Sequence, residues 1–357
     1  MSNRCRRSLA LVAAVVLVAA LAGAAQGRES ANAYTVNPLV SDGTATPASA
    51  TDASLVNGWG LSAGPTTPWW ASDNGTNTST LYSGAGAKVA LTVSVAGGPT
   101  GTVFNGSASD FAVSQSGKSG VARFLFATEA GTILGWSPTV NATSAVPGAD
   151  QSSAGAVYKG LATANDRLYA TDFHNGRVDV FDAAFKAITT TGAFTDPKVA
   201  KGFAPFGIQA LGGNIFVTFA QQDAAKHDDV PVPGKAYVDE FTPDGQLVGR
   251  VINSGKKNAP LNAPWGLALA PAGFGSFGGD LLVGNFGNGR ISAYAQRGSE
   301  WVYKGQLRAG DGKLITIDGL WAIAFGNGAA AGPTNTLYFL AGPSGQQHGL
   351  YGSVTSG

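Results

Sequence analysis

Three histidines and several aspartates could supply metal-ligating or acid–base chemistry in this sequence. The histidines are His174, His227 and His348, and aspartates lie close to two of them, at Asp172 and at 228–229. Neutral imidazole and carboxylate groups suit zinc, iron or copper, and histidine transfers protons near neutral pH. These residue types predict one divalent metal site or an acid–base site, provided that the fold brings them together.

Seven polar residues are candidates for a ligand-binding site, because each lies in a polar turn that follows a short apolar run: Asp172, His174, His227, Asp228, Asp229, Asn285 and His348. Within this set, His174 and His227 are the candidate metal ligands, and Asp228 and Asp229 are the candidate catalytic carboxylates. The alternative is that these turns are polar only because they face solvent.

A repeated strand pattern must position these turns. An aromatic or polar residue, a glycine and usually an aliphatic residue recur, with alanine replacing glycine in the last copy: Trp59-Gly60-Leu61, Thr100-Gly101-Thr102, Lys159-Gly160-Leu161, Phe206-Gly207-Ile208, Trp265-Gly266-Leu267 and Trp321-Ala322-Ile323. Each copy continues with a second apolar run, a polar turn, an alternating run and, in most copies, a weaker fourth run. Alternation with a period of two is typical of half-buried strands. The sequence therefore predicts an all-β, six-bladed β-propeller with four-stranded antiparallel blades.

The two ends of the repeat region predict how the ring closes. The last repeat has room for a third strand near residues 349–354 but not for a fourth, and a strand-like segment at 34–40 precedes the first repeat. We expect this N-terminal strand to become the outer strand of the last blade, which covers an otherwise unpaired sheet edge. One propeller domain is therefore predicted over residues 34–357.

All three histidines should lie on one face of the propeller. In antiparallel blades, the start of the first strand and the turn between strands two and three share a face. Blades three and six are opposite in the ring, so His174 and His348 are not expected to share an ion, whereas His174 and His227 come from neighbouring blades and could. The insertion at 221–235 predicts either a lid over the channel or a loop that extends into solvent.

The repeated tryptophans Trp59, Trp265 and Trp321 have a structural interpretation. A large residue that recurs at equivalent positions is predicted to fill the space between blades. The alternative is a platform on which a ligand stacks.

Several segments resemble NHL-type propeller repeats, above all Tyr-Ala-Thr-Asp at 169–172 and His-Asn-Gly-Arg-Val-Asp-Val-Phe-Asp at 174–182. Together with the segments at 222–229 and 325–328, they make the chain similar to an uncharacterised exported bacterial propeller family, some members of which carry a PEP-C-terminal-type sorting tail. The resemblance implies the propeller fold and an exported location, but no settled activity. Residues 353–357 do not match such a tail, so sorting by that route is not expected.

The N-terminus has the features of a secretory signal peptide. Arg4, Arg6 and Arg7 precede an apolar run at 9–25, and small residues follow. We expect a signal peptide at residues 1–25, with cleavage possible as late as residue 33; the alternative is a retained membrane anchor. After cleavage the protein should be exported, secreted or periplasmic, without stable membrane insertion. The single cysteine, Cys5, would leave with the peptide.

Composition narrows the function classes. Only 13% of the 357 residues are charged and the formal net charge is +1, so no nucleic-acid partner is expected. The leading hypothesis is a monomeric binding or recognition scaffold for a small molecule, a glycan or an extracellular protein at the channel-mouth face. The alternative is a metal-dependent hydrolase or lyase that uses the histidines and aspartates of that face with one divalent metal ion. A purely structural envelope component is a third possibility.

Overall fold

The ring of blades is described over residues 32–43, 47–252 and 260–357 of a computed structural model. The predicted signal peptide at residues 1–25 lies outside the described residues. Six small antiparallel sheets form the ring, and the innermost strand of each sheet contacts the innermost strands of both neighbouring sheets. The predicted six-bladed β-propeller is therefore confirmed. Within the described ranges, no helix is both long and apolar enough to cross a membrane.

Blades 1 to 5 each run through four strands from the ring centre outwards. Their bounds are as follows: blade 1, Gly58–Ser62, Trp69–Asp73, Thr78–Tyr82 and Lys88–Ser94; blade 2, Pro99–Phe104, Phe124–Thr128, Thr132–Trp136 and Val146–Asp150; blade 3, Tyr158–Ala164, Arg167–Asp172, Arg177–Phe181 and Ala187–Ile188; blade 4, Phe203–Leu211, Asn214–Gln222, Tyr237–Phe241 and Leu247–Ile252; blade 5, Pro264–Leu269, Leu281–Asn285, Arg290–Arg297 and Glu300–Gln306. The antiparallel, four-stranded blades of the prediction are thus present in all five.

Blade 6 combines strands from both ends of the propeller. Its inner three strands are Leu320–Phe325, Leu337–Ala341 and Leu350–Ser356, and its outer strand is Tyr34–Ser41, which pairs antiparallel with the third and carries the short strand Ala50–Thr51 at its edge. Ring closure by the N-terminal strand is therefore confirmed.

Few elements lie outside the blade strands. Among the described residues they are a hairpin of Ala112–Gln115 and Lys118–Val121 in blade 2, the strand Asp229–Val230 in blade 4, three 3-10 turns (Asn74–Thr76, Ser152–Ala154 and Gly275–Phe277) and one short helix, Pro343–Gln346. The extra strand of blade 4, the 3-10 turn Asn74–Thr76 and the short helix contribute to the polar face described below.

The repeated glycine is required by the close approach of adjacent inner strands. A Cβ atom on Gly60 would lie 2.4 Å from the carbonyl oxygen of Thr100, and one on Gly207 would lie 2.1 Å from that of Trp265. Both distances are far below van der Waals contact with a backbone atom that has little room to move. Glycine at this position therefore lets each blade pack directly on the next.

Threonine hydroxyls on the second strands join neighbouring blades at the same level. Thr171 Oγ1 accepts a hydrogen bond from Gly160 N (2.7 Å) within blade 3 and donates one to Phe206 O (2.6 Å) of blade 4. Thr218 repeats the arrangement one blade further on, with Gly207 N (2.8 Å) and Pro264 O (2.6 Å). These bonds satisfy backbone groups that the strand ladder leaves unpaired at the glycine, where the register shifts.

The repeated tryptophans are buried in the core, as predicted, but they lie in the central channel, so their predicted position between blades is wrong. Trp59 stacks on Trp321 with ring centroids 3.6 Å apart, and it contacts Trp265 at 6.2 Å and Phe206, from the opposite blade, at 6.5 Å. The physical reason is the register shift at each repeat, which frees this residue from the ladder and lets its ring turn towards the axis. We call these four side chains the aromatic plug.

The plug closes one end of the channel. Further along the inner strands the ring encloses a cavity of about 220 Å³, lined mostly by the aliphatic residues that follow the repeated glycines. The second strands run back towards the plug, because they are antiparallel to the inner strands. The polar turns that follow them, with the three histidines, therefore lie on the plugged face.

Candidate functional site

Blade 3 places a lysine at the position that tryptophan or phenylalanine occupies in four other blades. The Lys159 side chain is completely buried, and its ammonium lies 4.8 Å from the ring centroid of Trp59. Lys159 Nζ donates to Glu129 Oε1 (2.5 Å) and to Asp228 Oδ1 (3.2 Å). A buried charge is tolerated only when it is paired, and these two carboxylates supply the pairing. Lys159 therefore ties blades 2, 3 and 4 together above the aromatic plug.

A chain of amide side chains extends from this ion pair to blades 1 and 6. Asn74 Nδ2 donates to Glu129 Oε2 (2.9 Å), and Asn57 Nδ2 donates to Asn74 Oδ1 (3.2 Å) and to Gln346 Oε1 (3.0 Å). The indole of Trp321 donates to Asn57 Oδ1 (3.0 Å), which connects the chain to the plug. We call the hydrogen-bonded set the polar arc; its members are Gln346, Asn57, Asn74, Glu129, Lys159 and Asp228.

The insertion in blade 4 folds as a hairpin that reaches the polar arc. Residues 221–222 of the second strand pair with Asp229–Val230, and His227 N donates to Asp223 Oδ1 (2.8 Å) in the tip. On the return path Pro231 contacts blade 5, since a Cβ atom on Gly287 would lie 2.6 Å from Pro231 Cβ. We call residues 221–230 the blade-4 hairpin. Its tip lies over the buried ammonium, because Asp228 pairs with Lys159.

The two aspartates of the hairpin differ in electrostatic environment. Burial raises the pKa of Asp228, but attraction and hydrogen bonding from Lys159 and His227 outweigh it, so the pKa lies below its usual range. For Asp229, burial outweighs the lowering effect of the Lys159 charge and raises the pKa to about 7, with a further increase from the neighbouring Asp228 charge. Asp229 Oδ2 is buried and has no hydrogen-bond partner among the described residues. Asp229 therefore titrates near neutral pH, whereas Asp228 stays ionised.

Three side chains near Lys159 have the donor atoms for a metal site. One potential ligand atom from each of Glu129, His227 and Asp228 lies within 4.8 Å of the others. The same two carboxylates, however, already bind the Lys159 ammonium. A divalent ion bound there would face a buried positive charge, and this repulsion is strong away from water. The built-in cation therefore competes with a metal for the same oxygen atoms.

Asp172 and Asn285, two of the predicted ligand-binding residues, are completely buried and hold the backbone together. Val157 N donates to Asp172 Oδ1 (3.3 Å), and Asn262 N donates to Asn285 Oδ1 (2.9 Å), so each side chain joins the end of a second strand to the segment before the first. Burial is the main cause of the raised pKa of Asp172. We assign both residues to the framework of their blades and leave them out of the site proposed below.

The three histidines have different partners in the structure. His227 belongs to the group with metal-site geometry, but His174 is not a member of it; the backbone carbonyl of His174 accepts a hydrogen bond from Gln222 Nε2 (3.3 Å) at the base of the hairpin. His348 Nδ1 instead lies 2.6 Å from Asp42 Oδ2, at the outer part of blade 6. Of the seven residues predicted from the sequence, the structure thus brings His227, Asp228 and Asp229 together around Lys159.

The sequence reasoning missed Lys159 and Glu129 as site residues. The available signal was the lysine in a repeat position that otherwise carries mostly large apolar rings. A lysine at such a buried position requires a nearby carboxylate. Glu129, in the polar turn of the adjacent blade, was one of the acidic residues able to supply it.

These features define the class of protein: a six-bladed β-propeller with a lysine-centred polar site on its plugged face. The chain belongs to one family with the uncharacterized protein L690 of Acanthamoeba polyphaga mimivirus, with 30% identity over 344 residues that cover 92% of this chain and 87% of L690. The uncharacterized mimivirus protein R648 matches with 30% identity over 92% of this chain and 81% of its own. A third mimivirus protein, R640, is 30% identical over 229 residues. This match covers 63% of this chain but only 42% of R640. No protein-family model matches the chain.

Solved structures with the same fold are more distant in sequence. A streptogramin B lyase superimposes with a TM-score of 0.52 at 11% identity, covering 91% of this chain and 97% of the lyase. The soluble aldose sugar dehydrogenase of Escherichia coli gives 0.51 at 12% identity, covering 91% and 100% of the two chains. A Bacteroides thetaiotaomicron protein of unknown function gives 0.57 at 12% identity, covering 90% and 76%. At these identities the likeness shows the fold alone.

Proposed function

We propose that the protein is an exported recognition module that binds a hydroxyl-rich small molecule or a glycan over the polar arc. The observation that carries this proposal is the buried Lys159 ammonium, which fixes Glu129 and Asp228 while 20% and 60% of their side chains stay exposed. A ligand would therefore meet oxygen acceptors that are already oriented, which lowers the entropic cost of binding.

The chemistry of the surrounding surface favours hydroxyl groups over a strongly anionic ligand. Lys159 is neutralised by its two carboxylates, and Asp229 adds acidic character beside them. Carboxylate and amide groups accept and donate hydrogen bonds as sugar hydroxyls require. Phe286, which is half-buried and stacks on Trp321 at 3.9 Å, provides an apolar ring next to these groups.

Binding of mono- and oligosaccharides measured by calorimetry tests the proposal. Asp228→Asn and His227→Gln should each weaken binding about tenfold or more, because each removes an exposed partner without leaving a buried charge unpaired. Asp244→Asn is the matched control, since Asp244 is an exposed carboxylate that pairs with Arg167 away from the polar arc. Unchanged affinity in both site variants, or an equal loss in the control, would contradict the proposal.

A metal-dependent hydrolase or lyase is the second candidate function. The specific observation in its favour is the grouping of Glu129, His227 and Asp228, with Asp229 close by as an acid or base whose pKa is about 7. Elemental analysis of the purified protein after incubation with zinc, manganese or magnesium separates the two functions. Stoichiometric metal that is lost in His227→Gln supports the enzyme, whereas substoichiometric metal supports the binding module.

The location and the finer family assignment belong to the same proposal. The charged and apolar runs at the N-terminus support export, and the repeat segments at 169–182 support an NHL-like propeller. Expression of the full chain in a bacterial host, followed by N-terminal sequencing of the product, checks export. A mature N-terminus between residues 25 and 34 is expected, and an uncleaved cytoplasmic product would contradict it.

A further inference from the structure

A second, chemically different cavity lies between blades 1 and 2, away from the polar arc. Its volume is about 440 Å³, within the usual range for small-molecule sites. The residues that line it come from the ends of the strands remote from the plugged face: Thr67, Pro68, Trp70, Leu81, Val89, Leu91, Phe104, Arg123, Phe124 and Trp136. We call it the aromatic groove.

The walls of the groove are aromatic rings in fixed positions. In blade 2, Phe104 and Trp136 are the cross-strand neighbours of Phe124 on either side. From blade 1, Trp70 stacks on Phe124 with centroids 4.1 Å apart and lies 4.7 Å from Trp136. The indole of Trp136 is held by a hydrogen bond to Ala142 O (3.0 Å). A rigid aromatic surface of this kind favours a flat apolar ligand, because ring stacking is gained without ordering flexible side chains.

One charged residue lies at the edge of the groove. Arg123 is exposed, and its guanidinium donates to Ser107 O (3.3 Å), with no carboxylate within salt-bridge distance among the described residues. The described residues that line the groove include no acidic side chain. The guanidinium keeps most of its donors available and matches a carboxylate or sulfonate in geometry and charge.

We propose that the aromatic groove binds an aromatic monoanion, with its ring system on the partly exposed rings of Phe104 and Trp136 and its acid group on Arg123. This site is independent of the polar arc. Its ligand has an apolar body, whereas the ligand proposed for the arc is rich in hydroxyl groups.

A pair of dyes that differ only in the anionic group tests the proposal on the full chain. The probe is 8-anilinonaphthalene-1-sulfonate, and the control is N-phenyl-1-naphthylamine, which lacks the sulfonate. We expect one sulfonate dye per protein, and Arg123→Gln should weaken its binding about tenfold while changing the neutral dye by less than about twofold. Arg297→Gln, which removes an exposed arginine of blade 5, should leave both affinities unchanged.

A groove-filling variant shows where the dye binds. Val89 is 37% exposed on the outer strand of blade 1, so Val89→Trp can fill the groove without disturbing the core. This variant should weaken both dyes about tenfold or more, with an unchanged melting temperature as the check on folding. Wild-type affinity of the sulfonate dye in Arg123→Gln would overturn the assignment of Arg123, and wild-type affinity of both dyes in Val89→Trp would overturn the groove as the site.

Discussion

Removing Glu129 and removing Lys159, the partners of the buried ion pair, should reduce the stability of the protein by unequal amounts. The Lys159 side chain has no exposed surface, whereas 20% of Glu129 and 60% of Asp228 is exposed. In Glu129→Gln the ammonium keeps only one, largely solvated carboxylate and cannot regain water, so we expect a loss of about 3 kcal/mol in the free energy of unfolding. In Lys159→Met the buried charge itself is gone, and Glu129 keeps its hydrogen bond from Asn74, so the expected loss is about 1 kcal/mol.

A double-mutant cycle measured by urea denaturation gives the interaction directly. The double variant Glu129→Gln/Lys159→Met should be about as stable as Lys159→Met alone, because no buried charge remains without a partner. The coupling free energy should therefore be about 3 kcal/mol. The exposed pair Lys313–Asp311, with 84% and 53% of its side chains exposed, provides a matched control that should show no measurable coupling. If Lys159→Met is more destabilising than Glu129→Gln, the burial argument for this lysine is refuted.

Three further perturbations follow from the packing and the electrostatics. Gly207→Ala should destabilise the protein by about 3 kcal/mol in thermal or urea unfolding, because the new Cβ would lie 2.1 Å from a backbone carbonyl; Gly249→Ala, with open space around it, should stay within about 1 kcal/mol of the wild type. Since burial raises the pKa of Asp229 to about 7, the folded protein binds a proton more tightly than the unfolded chain, and stability should fall as pH rises from about 4 to 7. Asp229→Asn removes this loss, so it should be more stable than the wild type at pH 8 by about 4 kcal/mol and equally stable at pH 4; equal stability at both pH values would contradict the assignment. Thr218→Val should cost about 2 kcal/mol and speed hydrogen exchange at the Gly207 amide, and unchanged exchange would show that the hydroxyl does not join the blades.

The fold could be predicted from the sequence because each blade repeats the same local rules. The recurring glycine marks the point where inner strands touch, and the alternating runs that follow it mark the half-buried strands. The closing strand could be predicted as well, since the last repeat lacked a partner that the segment before the first repeat could supply. In each case the sequence signal reflects a contact that is repeated around the ring.

The position of the tryptophans could not be predicted by the same rules. Alternation assigns a side chain to one face of a regular strand, but Trp59, Trp265 and Trp321 lie at register shifts, where that assignment fails. Residue propensities do not reveal such a register shift. The backbone groups that the shift leaves unpaired form hydrogen bonds to neighbouring blades instead. The tryptophans therefore fill the channel instead of the space between sheets.

The candidate site could be predicted only in part. His227, Asp228 and Asp229 could be predicted because they belong to an unusually long insertion. Asp172 and Asn285 could not be told apart from them by sequence, because they are also polar residues in the turn after a second strand. Asp172 and Asn285 differ from the hairpin residues because they are buried and bind backbone groups, and both properties depend on how each turn folds back. Lys159 could not be predicted as a site residue because the carboxylates that pair with it come from blades 2 and 4, which are distant in sequence.

Diffraction from crystals soaked with manganese or zinc, recorded at the absorption edge of the metal, tests the account of the plugged face most directly. The ammonium of Lys159 should occupy the position between the Glu129 and Asp228 carboxylates, and no anomalous peak should lie within ligand distance of those oxygen atoms. An anomalous peak bound by Glu129, His227 and Asp228, with the lysine side chain displaced, would show that this face is organised by a metal ion.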